Sequence, residues 1–341
     1  MSTVYVGLDV GSTTFHQITM QPDGRITVSR RFPMSEANLI RAFTGLGQDV
    51  HVHMEAGELA PWVRSVISPL VKRVVISHPR SNAWIANDPN KCDRIDATKL
   101  ADLLRMNRLT EVYYAQETPR RDFKQLVQHY DDLTDQQVRL KNKIKARLRA
   151  QGIIVRDGRL FTRKWRMDVV EKVPSPDVRQ AIMQLYSVLD QTLAARLAAR
   201  KLMFEAAKSF PEIALFRDVP GVGPIGACRF SAYIQTPHRF SNVRKIWRYC
   251  RLGVSHRSSD GKPLGHPKLD RAGCGQLKNV SRRAFEAALR RSDHNAFKRA
   301  YERALESTRN KIHARLSVQR KIVSVLRAMW LKMAPYRDEL I

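Results

Sequence analysis

Two acidic residues stand where predicted β-strands end, and both are candidate ligands of a divalent cation. Asp9 closes the alternating stretch VYVGLDV, and Glu55 closes a second one, VHVHMEAG. A carboxylate at the tip of an apolar strand is costly to bury unless another group pairs with it. Taken alone, Asp9 is more typical of a turn or a helix cap, so the interpretation depends on its partners.

Two further acids, Asp93 and Asp96, begin the helical pattern NKCDRIDATKLADLLRMNR. Their spacing places both on one face of a helix near its N-terminus, where the partial positive charge favours carboxylates. Asp93 alone fits a helix cap equally well. Because neighbouring carboxylates repel one another, we expect Asp9, Glu55, Asp93 and Asp96 to share a bound cation.

A candidate nucleophile lies in the C-terminal half. Ser258 and Ser259 precede Asp260-Gly261 in the loop RLGVSHRSSDGKPLGHPKLDRAG. Six basic residues surround them: Arg251, His256, Arg257, Lys262, Lys268 and Arg271. A hydroxyl among cations beside a glycine turn is well placed to attack a phosphodiester. Because Ser, Asp and Gly all favour turns, the local sequence alone is more typical of an ordinary polar turn.

The composition indicates a polyanionic partner. The chain has 341 residues, with 60 Lys and Arg against 32 Asp and Glu, a formal net charge of +28. Basic residues occur along most of the chain, which favours an extended nucleic-acid surface over a basic enzyme with solvated faces. The turn VPGVGPIGA resembles that of a helix-hairpin-helix motif, in which Gly221 and Gly223 would let backbone N–H groups approach a phosphate.

The elements that must position the acids follow a recognisable order. Residues 3–76 contain five strand patterns, VYVGLDV, FHQITMQ, ITVSRRF, VHVHMEAG and VKRVVIS, with helical patterns after the third and the fourth. Three meandering strands and then strands separated by helices is the order of an RNase H-like α/β fold. In such a sheet the fourth strand lies beside the first, which would bring Glu55 next to Asp9.

The rest of the chain is predicted to be mostly helical. Residues 120–205 carry two long amphipathic patterns separated by the basic loop RDGRLFTRKWR. They predict either a helical hairpin packed as ordinary core or an intermolecular coiled coil. Residues 281–341 are helical and basic.

Cysteine usage and hydropathy bear on the compartment. Cys92, Cys228, Cys250 and Cys274 form no C-x-x-C pair, so we expect neither a zinc site nor a disulfide framework. The sequence contains no signal-peptide pattern and no apolar run of membrane-spanning length. We therefore expect a cytoplasmic protein with no membrane contact.

The motifs GLDVGS, MEAG and KCDRIDATKLADLLR, followed by VPGVGPIGA, RLG and KLDRAG, resemble those of a DEDD-type insertion-sequence transposase. This family, insertion-sequence family one-ten, includes bridge-RNA-guided recombinases and pilin-gene invertases, and the resemblance covers nearly the whole chain. It implies that the four acids form a RuvC-like tetrad. The implied domains are a RuvC-like domain (1–120), a helical or coiled-coil segment (121–205) and a serine-bearing transposase domain (206–341).

The resemblance also implies a serine nucleophile in the C-terminal loop. Ungapped alignment of Phe240 and Leu252 with the family places Ser259 at the nucleophile, and Ser258 takes its place if the loop is shifted by one. The chain has SHRSSDGK where the family usually has a proline-rich turn and a Ser-Gly pair. The choice between the two serines therefore stays open.

The implied function is a site-specific DNA recombinase that cuts and rejoins donor and target DNA. Mg²⁺ held by the tetrad would activate the scissile phosphate, and the serine would attack it to form a phosphoserine link. A structured noncoding bridge RNA would supply sequence recognition by base pairing. A homo-oligomer, a dimer or a tetramer, is implied because the two sites meet between protomers in the family.

Three other functions fit the same residues. One is an RNase H-like, metal-dependent nuclease such as a junction resolvase, in which Ser259 is only a turn residue. Another is a nucleic-acid-binding protein without catalytic activity. The third is a DNA invertase of the same family that works without RNA.

Overall fold

The computed structural model describes two compact units, Met1–Tyr114 and Ala115–Ile341. The described residues are 3–79, 92–115, 118–155, 158–255, 258–260, 262–291 and 293–340. The first unit is mixed α/β and the second is mostly helical, as the sequence predicted.

A five-stranded sheet forms the centre of the first unit. Its strands are β1 (Val4–Val10), β2 (Thr14–Met20), β3 (Ile26–Pro33), β4 (Val50–Glu55) and β5 (Arg73–Ser77). They lie in the order β3-β2-β1-β4-β5, with β1, β4 and β5 parallel and β2 antiparallel to both of its neighbours. This is the RNase H-like order, and it confirms the predicted placement of the fourth strand beside the first.

Helices cover both faces of this sheet. They are α1 (Glu36–Phe43), α2 (Ala60–Ile67) and α3 (Asp93–Arg105). Because side chains alternate along a strand, β1 serves both layers. Val6 and Leu8 join the core formed with α1 and α2, whereas Tyr5 packs with the small residues Ala97 and Ala101 of α3.

A long helical hairpin begins the second unit. Its helices are α4 (Thr118–Ala150), α5 (Arg163–Val170) and α6 (Pro176–Ala207). Phe123, early in α4, shares a core with Met203, late in α6, while Ile144 shares one with Tyr186, so α4 and α6 are antiparallel. The predicted basic loop between them is partly helical, because α5 begins within it. Association with a second chain through this hairpin stays a prediction.

The remaining helices pack around an aromatic core. They are α7 (Pro211–Arg217), α8 (Pro224–Ile234), α9 (Val243–Tyr249), α10 (Gly275–Arg290), α11 (Ala296–Thr308) and α12 (Lys311–Lys332). Phe216, Phe230 and Trp330 meet edge to face or tilted in this core. In the part of the chain that the structure describes, no helix is both long and apolar enough to cross a bilayer.

Candidate active site

A glycine determines how closely α3 approaches β1. A Cβ built on Gly7 would overlap the carbonyl oxygen of Ala97 and lie 2.7 Å from the amide nitrogen of Ala101. Only a residue without a side chain permits this backbone-to-backbone contact. Asp9 follows Gly7 on the same face of β1, and the first turn of α3 immediately precedes Ala97. Gly7 therefore lets Asp93 and Asp96 of α3 approach Asp9 of β1.

The four predicted acids converge at this end of the sheet. Leu8 pairs with Met54, so the next residues on the two parallel strands, Asp9 and Glu55, end side by side. Burial, and then the negative charges of Asp93, Asp96 and Glu55, raise the pKa of Asp9 to about 6. The structure thus brings together residues from two strands and one helix that are up to 87 positions apart in the sequence.

Two features of the cluster suit a bound cation. The Oδ1 atom of Asp96 is buried and accepts no hydrogen bond from any described residue. The pKa of Asp9 is raised first by burial and then by repulsion from the neighbouring acids, and a positive ion would relieve that repulsion. Carboxylate oxygens are the donors that Mg²⁺ and Mn²⁺ prefer.

The cluster is nevertheless open. Among the described residues, no three acidic, histidine or cysteine side chains lie close enough together to form a ready-made ion site.

A buried histidine that the sequence analysis did not single out fixes α3 to the sheet. His53 is fully buried, its Nδ1 lies 2.7 Å from the carbonyl oxygen of Leu100, and its Nε2 lies 2.8 Å from Ser77 Oγ. Because a carbonyl can only accept, Nδ1–H donates and Nε2 accepts from the serine hydroxyl. Burial lowers the pKa of His53, which favours this neutral form. His53 lies opposite Gly7 in the sheet. This pairing would have singled out the histidine, but the sequence alone does not reveal it.

Two basic residues border the cluster on the other side, and the sequence analysis missed them as well. His16 pairs with Asp9 across β1 and β2, and Arg31 pairs with His16 across β2 and β3. The guanidinium of Arg31 lies 3.8 Å from the carboxylate of Asp93. A single strand does not indicate such neighbours, because they depend on the register between strands, which the turns and the hydrophobic patterns of both strands set together.

The two candidate serines lie in a β-hairpin rather than an irregular loop. Strand β7 (Ser258–Ser259) pairs antiparallel with β8 (Lys262–Pro263), with Ser259 opposite Lys262. Asp260 has φ +49°, the left-handed conformation that a two-residue hairpin turn requires. Both serines are exposed. Because successive strand residues point to opposite faces, Ser258 and Ser259 present their hydroxyls in different directions.

A second ladder carries this hairpin. Strand β6 (Val254–Ser255) pairs with β9 (Lys268–Leu269), and we call residues 254–269 the serine arm. Its base is fixed to the core. Arg248 Nε donates to Asp270 Oδ2 at 2.6 Å, and Arg251 Nε donates to the carbonyl oxygen of Gly273 at 2.9 Å. Gly273 has φ +101°, and a Cβ there would overlap the carbonyl oxygen of Tyr249.

The predicted cations fall into two groups. Lys262, Lys268 and Arg271 are exposed on or beside the serine arm. Arg251 is half-buried, because its guanidinium is used in the base of the arm. The predictions at His256 and Arg257 lie outside the described residues, as does Gly261 of the turn.

The glycine-rich turn connects α7 to α8, as expected of a helix-hairpin-helix motif. Gly221 has φ +85°, and a Cβ there would overlap the carbonyl oxygen of Ala284 in α10. Close packing against α10 therefore accounts for this glycine without a phosphate. Gly223 is exposed at the N-cap of α8, where a backbone group can meet a ligand.

An RNase H-like sheet with an acidic cluster, followed by a helical unit, is an architecture found among enzymes that process nucleic acids. Residues 6–151 match the DEDD transposase model of IS110, and residues 213–302 match the Transposase IS116/IS110/IS902 family. The two matches together span more than half of the chain and include all four acids and both serines. The chain belongs to this family of insertion-sequence transposases. No curated protein is significantly similar to it.

Family membership makes the protein an enzyme that cuts and rejoins DNA, and therefore one that binds DNA. The DEDD type of the N-terminal match implies the use of a divalent metal ion.

Proposed function

We propose that the protein is a site-specific recombinase in which a serine of the arm attacks DNA at a divalent-cation site formed by Asp9, Glu55, Asp93 and Asp96. The observation that carries this proposal is the convergence of Asp93, Asp96 and Glu55 on Asp9, whose pKa is raised to about 6 first by burial and then by these three charges. Such a cluster does not stabilise the fold unless a cation offsets the repulsion between the carboxylates.

The four acids would hold Mg²⁺, which when bound polarises phosphate oxygens and stabilises the charge that develops on them. Serine Oγ forms a bond to phosphorus while the bond from phosphorus to the leaving DNA oxygen breaks. The hydroxyl proton passes to solvent, and the leaving strand ends in a hydroxyl. The resulting phosphoserine diester keeps the energy of the phosphodiester, so that a second DNA hydroxyl can reverse the step without ATP.

Ser259 is the better candidate nucleophile. Residues directly opposite each other in an antiparallel pair share a face, so Ser259 shares one with Lys262, whereas Ser258 lies opposite Pro263. An exposed ammonium beside the hydroxyl can bind a phosphate oxygen and favours attack at that phosphorus.

A nicked DNA substrate tests this assignment. Its cleavage releases a short leaving strand, which traps the covalent adduct between the serine and DNA. Ser259→Ala should abolish the adduct and strand exchange, and Ser258→Ala should retain both. If only Ser258→Ala abolishes the adduct, the nucleophile is Ser258. If both variants recombine normally, the serine mechanism is wrong. Continued metal-dependent cutting by Ser259→Ala would instead support an RNase H-like nuclease, since the four acids all lie in one unit.

We also propose that a structured noncoding RNA guides the enzyme and that it acts as a homo-oligomer. A net charge of +28 suits both RNA and DNA as partners. Sequencing RNA that co-purifies with the protein should reveal one enriched structured species. Recombination by protein free of such RNA would support the RNA-independent invertase. Light scattering should give a mass of two or four chains, and a monomer active in recombination would reject the oligomer.

A further inference from the structure

The sheet carries a polar surface beside the acidic cluster. Helix α3 packs on β1, β2 and β4. On the same face, the outer part of β2 and the edge strand β3 present Thr14, His16, Ser29 and Arg31. We call these four residues the β2–β3 ledge. Because His16 pairs directly with Asp9, the ledge begins where the acidic cluster ends.

The ledge is held together by its own hydrogen bonds. His16 Nε2 lies 3.1 Å from Ser29 Oγ, and the Arg31 guanidinium donates to Thr14 Oγ1 at 3.1 Å and 3.3 Å. These contacts orient Arg31 along the face of the sheet. Its side chain is still 63% exposed, so solvent or a ligand reaches most of the guanidinium.

The contact between Arg31 and Asp93 is a charge contact rather than a strong hydrogen bond. At 3.8 Å it exceeds hydrogen-bond length, and both side chains are more than half exposed. A cation on Asp93 would replace the charge that Arg31 supplies. Arg31 would then be able to bind another anion with donors suited to a phosphate.

We propose that the β2–β3 ledge binds the DNA backbone beside the cleavage site, with Arg31 clamping a neighbouring phosphate. The backbone of Arg31 lies two strands from Asp9, about 10 Å across the sheet, and its guanidinium lies 3.8 Å from Asp93 at the edge of the acidic cluster, so it is placed to bind a phosphate next to the one at the cation. The inference rests on the proposed role of the four acids in cleavage. The proposal gives Arg31 two alternating partners: Arg31 contacts Asp93 when the cation is absent and DNA when the cation is bound.

Arg30 offers a matched control, because it is exposed on the same strand but on the opposite face, where it pairs with Gln17. The full-length protein would be tested as Arg31→Ala, Arg31→Lys and Arg30→Ala. DNA affinity would be measured by fluorescence anisotropy in Ca²⁺. Binding of Mn²⁺ without DNA would be measured by electron paramagnetic resonance.

Arg31→Ala should weaken DNA binding roughly three- to tenfold and tighten Mn²⁺ binding, because a competing charge leaves Asp93. Arg31→Lys should restore part of the DNA affinity, and Arg30→Ala should change neither quantity. Equal weakening by Arg31→Ala and Arg30→Ala, or no change with Arg31→Ala, would overturn the proposal. Failure of the acid site itself would look different, since Asp96→Asn would then leave Mn²⁺ binding intact.

Discussion

The acidic cluster and the serine arm are built in opposite ways. The cluster lies on regular elements locked by backbone contact at Gly7 and by the buried bridge of His53. The arm consists of strands of two residues, exposes both serines and is fixed to the core at its base. Ligands of a shared ion must hold their mutual geometry, whereas a nucleophile must reach a phosphate. Under the proposed mechanism, rigidity would serve the unit that binds the metal ion and reach would serve the arm that carries the nucleophile.

The largest effect should come from removing one acid of the cluster. Asp9→Ala should lower strand transfer roughly a thousandfold or more, about 4 kcal/mol, since charge at the scissile phosphate loses its stabilisation. Asp102→Ala is the control, because Asp102 lies on α3 but pairs with Arg105. Single-turnover cleavage of labelled DNA measures both. Retained activity in Asp9→Ala would favour a binding protein without catalysis.

The second-largest effect should come from disrupting the backbone contact between α3 and β1. Gly7→Ala forces α3 away from β1 and should destabilise the first unit by roughly 3 kcal/mol. Gly57→Ala should be nearly neutral, because no described atom lies within 4 Å of a Cβ built there. Hydrogen–deuterium exchange of the α3 amides under native conditions reports the difference. Similar protection in the two variants would mean that the close contact does not hold the helix.

The corresponding glycine substitution at the base of the serine arm should reduce attack by the serine and leave cation binding unchanged. Gly273→Ala meets both a left-handed φ and the Tyr249 carbonyl, which together should cost roughly 2 kcal/mol. Gly265→Ala meets only its left-handed φ of +76°, with no described atom within 4 Å, and should cost about 1 kcal/mol. Adduct formation should fall further in Gly273→Ala while Mn²⁺ binding is unchanged in both. Loss of Mn²⁺ binding would contradict the separation of the two regions.

A smaller effect concerns stability and pH. The folded-state pKa of Asp9 is raised to about 6, so folding favours the protonated carboxyl. Stability contributed by this group is therefore lost as pH rises from about 4 through 6. Without divalent cation, Asp9→Asn should melt higher than the wild type at pH 8 and equally at pH 4, and Mg²⁺ should close the gap at pH 8 by stabilising the wild type.

Asp49 provides a control of opposite sign for these melting curves. Hydrogen bonds from Lys72 and Thr3 lower its pKa to about 2. Its contribution is present above the ordinary pKa of 3.8 and is lost as pH falls toward 2. Asp49→Asn should therefore melt lower than the wild type at pH 8, with or without Mg²⁺. A common response of the two variants would show that the melting temperature does not report these carboxyls.

The positions of the four acids were easier to predict from the sequence than their surroundings, for a physical reason, while their role as cation ligands stays a prediction. Strand alternation and helix period locate Asp9, Glu55, Asp93 and Asp96, and the order of elements implies their meeting. His53 owes its position to the pairing of β1 with β4, which is distant in the sequence, and Arg31 owes its position to the registers of two successive strand pairs, which alternation within one strand does not encode. The hairpin of Ser258 and Ser259 was missed because strands of two residues carry no periodicity, although Asp260-Gly261 correctly indicated the turn.

Direct binding of Mn²⁺ to the full-length protein tests the central claim, that the four acids form one cation site. Electron paramagnetic resonance of free Mn²⁺ would be compared for the wild type, Asp96→Asn and the control Asp102→Asn. The account predicts saturable binding in the wild type and in Asp102→Asn, and its loss in Asp96→Asn, since the buried Oδ1 of Asp96 would no longer be an anionic ligand. Equal binding by all three proteins would contradict it.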